Sequence, residues 1–132
     1  MIAANELRIG NWVMYDNRLF QIEAISRSLP CLNTDEFGIG VVDWNNINPI
    51  PLTPEILEKC GFVRNNTACY FGLGNYYIHY QIKTSVVGIA IINDDDRLDA
   101  DEELSVDLNI KHLHQLQNIY WCLTSTELNY TP

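Results

Sequence analysis

The 132-residue sequence predicts an α+β fold in a single domain, β-rich over residues 1–47 and mixed over 48–132. Three observations predict it. Four short runs with turn residues between them fill the first 45 or so positions. A complete set of helix signals occupies residues 48–62. A second group of strands follows, and the chain then closes on one long amphipathic stretch.

WVMY (12–15) and RLFQIEAI (18–25) flank Asp16-Asn17, residues that tolerate the left-handed backbone of a tight hairpin. In the second strand Phe20, Ile22 and Ala24 are expected to face inward, with Gln21 and Glu23 outward. PCLNT (30–34) and GIGVVDW (38–44), joined through Asp35-Glu36-Phe37, predict another hairpin. Short strands joined this tightly make a small, curled, SH3-like sheet.

In NPIPLTPEILEKCGF (48–62), Pro49 and Pro51 force an extended approach. Thr53 suits the N-cap, Pro54 the first helical position and Gly61 the stop. Glu55 and Lys59 match the helix dipole. Ile56, Leu57 and Cys60 should lean on a sheet.

A β-meander is expected next: FVR (62–64), ACYFGL (68–73), YYIHYQIK (76–83) and VVGIAII (86–92), with turns at Asn65-Asn66, Gly74-Asn75 and Thr84-Ser85. In the third strand Tyr76, Ile78, Tyr80 and Ile82 take the buried face, leaving Tyr77, His79, Gln81 and Lys83 on the wet one. VVGIAII is apolar on both faces, as a central strand or one covered by a helix would be, and its Gly88 permits close approach of a backbone. A short strand is expected around 104–108.

The stretch 110–128 predicts a C-terminal helix packed on the meander. With Ile110 at the origin of a helical wheel, Leu113, Leu116, Tyr120 and Leu123 fall between about 220° and 300°, and Ile119 near 180°. Lys111, His114, Gln115, Asn118 and Cys122 fall between about 40° and 140°, on a face open to a second subunit or partner. Trp121 lies at its margin as a possible anchor. His112 and His114, two apart on a helix, would point about 160° from each other and share no metal.

Charge is uneven. The net −9 is built from −3 over residues 1–53, +1 over 54–92, −7 over 93–109 and zero over 110–132. No cluster of Lys and Arg exists to neutralise phosphates, so direct DNA or RNA binding is not expected. No apolar run reaches the length of a membrane span. The N-terminus MIAANELRIG carries no signal-peptide pattern, and a cytoplasmic protein is expected. Cys31, Cys60, Cys69 and Cys122 are separated by 29, 9 and 53 residues, which suits free thiols better than zinc ligands or disulfides.

Catalytic patterns are wanting. A calcium loop begun at Asp94 meets Leu98 at its fifth position; begun at Asp99, it meets Leu104 where glycine is needed and Ile110 where glutamate is needed. Gly38-Ile39-Gly40 and Gly72-Leu73-Gly74 lack the setting of a nucleotide-binding turn. A solvated acidic run cannot hold two carboxyls with separated pKa values. No enzyme activity, metal or cofactor is expected.

Three blocks, LRIGNWV (7–13), IPLTPEILEKCGF (50–62) and HLHQLQNIYWCLTSTEL (112–128), together resemble a family of small uncharacterised proteins encoded by phages and prophage-like islands of Bacteroidetes bacteria. In that family the closing helix commonly ends in a Thr-Gly-Glu-Glu-Leu type sequence. This chain has Thr124-Ser125-Thr126-Glu127-Leu128, and serine in place of glycine is expected to alter the helix stop. The resemblance implies a mobile-element origin and supplies no catalytic residues.

Seven carboxylates stand within residues 94–103: Asp94, Asp95, Asp96, Asp99, Asp101, Glu102 and Glu103. Closely spaced negative charges can imitate a nucleic-acid backbone and steer a basic groove toward them. The expected function is therefore a non-enzymatic accessory protein that binds a host protein with a basic nucleic-acid-binding surface. An inhibitor of a defence nuclease, anti-CRISPR in kind, is the sharpest form. The interaction residues would be these seven carboxylates together with Gln115, Asn118 and Trp121. Two other classes remain open: a small-ligand or nucleotide binder using residues such as Tyr77, His79 or Trp121, and a structural or assembly oligomer of the element.

Overall fold

Asp16 and Asn17 both take positive φ, 51° and 59°, which is the backbone of the tightest hairpin turn and matches the twist of the strands it joins. Around it β1 (Trp12–Tyr15) pairs with β2 (Arg18–Ser26) in antiparallel register, Tyr15 opposite Arg18. The computed structural model describes residues 2, 6–26, 29–34, 38–74, 76–91 and 105–132. Further strands are β3 (Leu29–Thr34), β4 (Gly38–Val41) and β5 (Ile47–Asn48), in the sheet order β4-β3-β2-β1-β5.

Two expectations change here. β2 carries a bulge between Ile22 and Ala24: Ile22 pairs with Leu32, and Ala24 with the adjacent Cys31. Neighbours on a strand face opposite ways, so Ala24 shares a face with Cys31 and not with Ile22. β4 also ends at Val41 rather than at residue 44, because Asp43 accepts a hydrogen bond from Asn45 N–H (2.9 Å) and caps a 3-10 turn over Trp44–Asn46. That turn delivers Ile47 to pair with Tyr15 on β1. The core beneath this sheet is Ile2, Leu7, Val13, Phe20, Ile22, Leu32 and Ile47, flanked by Tyr15, Val42 and Trp44.

The connector helix α1 (Pro54–Lys59) starts as its residues dictate, with Thr53 Oγ1 accepting from Ile56 N–H at 3.2 Å. Gly61 at φ 95° closes it, and Phe62 N–H returns to the Leu57 carbonyl at 3.0 Å. Leu57, Cys60 and Phe62 are buried, and Phe62 packs on Phe71 with ring centroids 5.1 Å apart. The meander consists of β6 (Val63–Arg64), β7 (Ala68–Gly72), β8 (Tyr76–Gln81), β9 (Val86–Ile91) and β10 (Ser105–Leu108), in the order β10-β9-β8-β7-β6. β9 is an interior strand, paired with β10 on one side and β8 on the other.

The C-terminal helix α2 runs over Leu113–Thr124, shorter than the stretch 110–128. His112 is its N-cap, in extended backbone. Ser125 ends it in the left-handed conformation (φ 56°), its N–H bonded to the Trp121 carbonyl at 2.8 Å. The chain divides into two compact units: residues 1–51 with 112–128, and 52–111 with 129–132. The helix expected to pack on the meander thus belongs with the N-terminal sheet, where it contacts β1; the meander is packed by α1, through β6 and β7. Two antiparallel sheets with one main helix make an α+β protein. No helix among the described residues is long and apolar enough to cross a membrane.

Candidate functional site

Helix α2 buries Leu113, His114, Leu116 and Gln117. The buried arc keeps Leu113 and Leu116 of the expected stripe but turns from Ile119, Tyr120 and Leu123, which are half-buried, toward His114 and Gln117, two residues that polarity alone assigns to solvent. The reason lies in the loop before β1. Trp12 N–H donates to Gln117 Oε1 at 2.8 Å, and Gln117 Nε2 donates to the Gly10 carbonyl at 3.1 Å. Both ends of a side chain only 1 % exposed are thereby satisfied. Gly10 sits at φ 96°, where a Cβ would stand 3.3 Å from Glu127 Oε1.

Asn118, expected to face a partner, completes the same network. Its Oδ1 accepts from Asn11 Nδ2 (2.9 Å) and Arg8 Nε (3.2 Å), and its Nδ2 donates to the Glu6 carbonyl (2.7 Å). Asn11, fully buried, accepts the Arg8 backbone N–H at 2.7 Å. The Arg8 guanidinium makes a two-pronged ion pair with Glu127 and lies 5.1 Å from the Trp121 ring. Being partly exposed, that ion pair adds little stability beside the buried amides. Gln115 is likewise engaged, its Oε1 accepting the His112 N–H at 3.1 Å in half of a capping box. Trp121 keeps 41 % exposure and Ile9 keeps 55 %.

His112 and His114 come together rather than diverge, because His112 lies before the helix and not in it. Their rings stack with centroids 5.9 Å apart and planes 11° from parallel. Among the described residues, neither nitrogen of the buried His114 finds a hydrogen-bond partner. Burial pushes its pKa down to about 4; the Glu6 carboxylate opposes that shift and His112 adds to it. In-plane lone pairs on parallel rings do not converge. Among the described residues, no three His, Cys, Asp or Glu are grouped to hold a metal ion.

In the meander His79 is buried, against the expectation of a wet face. It pairs across from Gly88, where a Cβ would stand 2.6 Å from its Nε2 and 3.0 Å from the Val106 carbonyl. The close approach that Gly88 permits is thus made by a ring as well as by a backbone. Tyr77 lies 5.9 Å from His79 and 5.6 Å from Tyr70, giving a row of rings on one sheet face. Cys31, Cys60 and Cys69 are buried free thiols, and Cys122 is an exposed one. Burial pushes the Cys60 thiol up to about 12, which makes it a poor nucleophile.

Asp94, Asp95, Asp96, Asp99, Asp101, Glu102 and Glu103 lie outside the described residues. Of the expected interaction residues, Gln115, Asn118 and Trp121 share helix α2. Sequence reasoning missed Arg8, Asn11, Gln117 and Glu127, whose partners are more than 100 positions away. The one available signal was the density of amide side chains in HLHQLQN (112–118), where Gln115, Gln117 and Asn118 fall within four residues. No family model, curated protein or solved structure matches the chain.

Proposed function

We propose that the protein is a non-enzymatic accessory factor of phage or prophage type that binds a host protein at a basic, nucleic-acid-handling surface and inhibits it. A defence nuclease of the CRISPR kind is the target class that fits. The observation that carries this reading is the segregation of charge: residues 93–109 hold −7 of the total −9. Such a segment attracts a basic groove through long-range steering, with an on-rate that salt suppresses. Gln115, Gln117 and Asn118 of α2 are engaged within the fold, which leaves the acidic run as the chemically distinctive stretch of the sequence. We read the N-terminal unit as SH3-like, supported by a 3-10 turn that leads into β5 and by the pairing of β5 with β1. We place its work in the host cytoplasm, in keeping with three buried thiols left free.

The test is co-purification of the tagged protein from a Bacteroidetes host at low and moderate salt. The expected result is one basic, nucleic-acid-processing protein, released by salt and lost when Asp94, Asp95, Asp96, Asp99 and Asp101 are all changed to Asn. Recovery of the protein alone, or of a partner indifferent to both changes, sinks the reading. A ligand-binding reading is favoured by the Tyr70–Tyr77–His79 row. It requires a rise in melting temperature with an aromatic metabolite such as a cyclic nucleotide, abolished by Tyr77→Ala.

A further inference from the structure

One side of the N-terminal sheet ends on β4, and among the described residues no strand lies beyond it. Val42 N–H donates to the Pro30 carbonyl at 3.0 Å, which fixes the phase of the β3–β4 ladder. Bonded and non-bonded pairs alternate along an antiparallel ladder. Leu32 stands opposite Gly40 and Thr34 opposite Gly38, so Gly38, Gly40 and Val42 bond inward to β3. Ile39 and Val41 therefore turn their N–H and C=O groups outward, away from β3.

Folded proteins guard such edges with charge, proline, a bulge or short length. Residues 38–42 read GIGVV, without a charge or a proline, and β4 keeps an unbroken register with β3. The other three edges differ. β5 and β6 are two residues long, and β10 carries Asp107 and has its Leu108 carbonyl taken by Ile110 N–H. Val41 is 54 % exposed, and a Cβ built on Gly40 would meet nothing within 4 Å.

Symmetry decides what fits this edge. Its outward groups stand on either side of Gly40, on Ile39 and Val41. Lay a second β4 antiparallel, with Gly40 opposite Gly40, and Ile39 of each copy meets Val41 of the other. Each of those two pairs exchanges two hydrogen bonds, so every outward group of Ile39 and Val41 is used. The two Gly40 residues form the close, non-bonded kind of pair, about 4.5 Å between Cα atoms, where glycine has no side chain to obstruct. Pairing ends beyond Val42, where Asp43 caps the 3-10 turn. β4 carries no charge to draw a charged segment of another protein, whereas its own copy matches it bond for bond.

We propose that β4 pairs with β4 of a second copy across a two-fold axis at Gly40, joining two N-terminal sheets into one. Three residues a side fall well short of the roughly 20–30 that stable interfaces use, so the dimer is weak and exchanges with monomer. This goes beyond the host-partner reading and differs from it in its response to salt. Two chains of net −9 repel each other, so salt should strengthen self-pairing while it weakens capture of a basic partner.

The measurement is sedimentation equilibrium of the full chain from about 0.01 to 1 mM, the range in which weak pairing becomes visible. The mean mass should rise from one chain toward two, and further at higher salt. Val41→Pro removes an outward N–H, which costs the β3–β4 ladder no bond and deletes two of the four bonds between copies. It should weaken association by about tenfold or more, while Val41→Ile, which keeps the N–H, should retain it. Amide exchange of the wild-type chain gives an answer that does not depend on how Val41→Pro folds. Ile39 and Val41 should exchange more slowly as concentration rises, and Gly38 and Gly40, already bonded to β3, should not change. A monomer mass throughout the range overturns the proposal. So does a dimer in which exchange at Ile39 and Val41 stays constant, which would place the contact on another surface.

Discussion

Helices α1 and α2 are held by different physics. α1 is short, and its hold is local and apolar: Thr53 caps it, Gly61 closes it, and Leu57 and Cys60 are buried. α2 is twice as long, yet two of its four fully buried side chains are polar, and its grip comes from Arg8, Gly10, Asn11 and Trp12 at the other end of the chain. Apolar burial tolerates any side chain of similar shape, whereas a buried amide network tolerates only its own donors and acceptors. The first helix is fixed by volume and the second by hydrogen-bond geometry.

Matched substitutions separate the two. Leu57→Ala leaves a cavity and should cost about 2–5 kcal/mol in denaturant unfolding. Leu57→Met, which keeps the volume, should cost less than about 1.5 kcal/mol. At Gln117 the ranking inverts. Gln117→Leu keeps the volume but takes the acceptor from Trp12 N–H and a donor from the Gly10 carbonyl, and should cost about 2–3 kcal/mol. If Gln117→Leu proves as mild as Leu57→Met, the amide network is ornament and α2 is held by Leu113 and Leu116 alone.

The same contrast explains what could be read from the sequence. Thr53, Pro54 and Gly61 act within one or two turns, so the start and stop of α1 stand in the residues themselves. Asp16-Asn17 and the position of β9 were legible for the same reason. Gln117 and His114 were not: a helical wheel sorts by polarity, and nothing local announces that Gly10 and Trp12 will satisfy Gln117 from 107 and 105 residues away. The bulge after Ile22 was illegible too, since it depends on which residue of β3 Ala24 meets. Of the candidate interaction residues, the acidic run was legible as charge alone. Asn118 turned out to be spent on Arg8, Asn11 and Glu6.

A second way to test the contrast is pH, which acts on His114, the buried side chain of α2 whose ring nitrogens find no partner among the described residues. His114 has its pKa pushed from 6.5 down to about 4, first by burial. Above pH 6.5 it is neutral in the folded and unfolded chains, and pH does not act through it. Between 6.5 and about 4 the unfolded chain takes up a proton that the folded chain refuses, so stability falls as pH falls. The full loss is on the order of 3 kcal/mol, reached near pH 4. Glu6 and His112 face the same ring, so the informative measurement is the difference from His114→Leu over this window. The wild-type protein should lose stability more steeply than the variant. Parallel curves would mean that His114 is protonated and paired inside the fold.

The smallest effect concerns how α2 stops. The sequence resemblance implies glycine where this chain has Ser125, and with serine there a changed stop. The helix stops there regardless: Ser125 adopts the left-handed backbone at φ 56° and returns its N–H to Trp121. A residue with a Cβ holds that conformation at a cost of about 1 kcal/mol, which glycine avoids. Glycine also loosens the unfolded chain, which takes back part of the gain. Ser125→Gly should therefore stabilise the protein by about 0.5–1 kcal/mol, while Ser125→Val, with a branched Cβ, should destabilise it. The stop is tolerated because Thr124 Oγ1 accepts the Thr126 N–H at 3.2 Å just beyond it, and because Glu127, two residues past the cap, is held by Arg8. A loss of stability in Ser125→Gly would mean that these downstream contacts already need serine's restricted backbone. The end of α2 would then be governed, like its buried face, by partners far away in the chain.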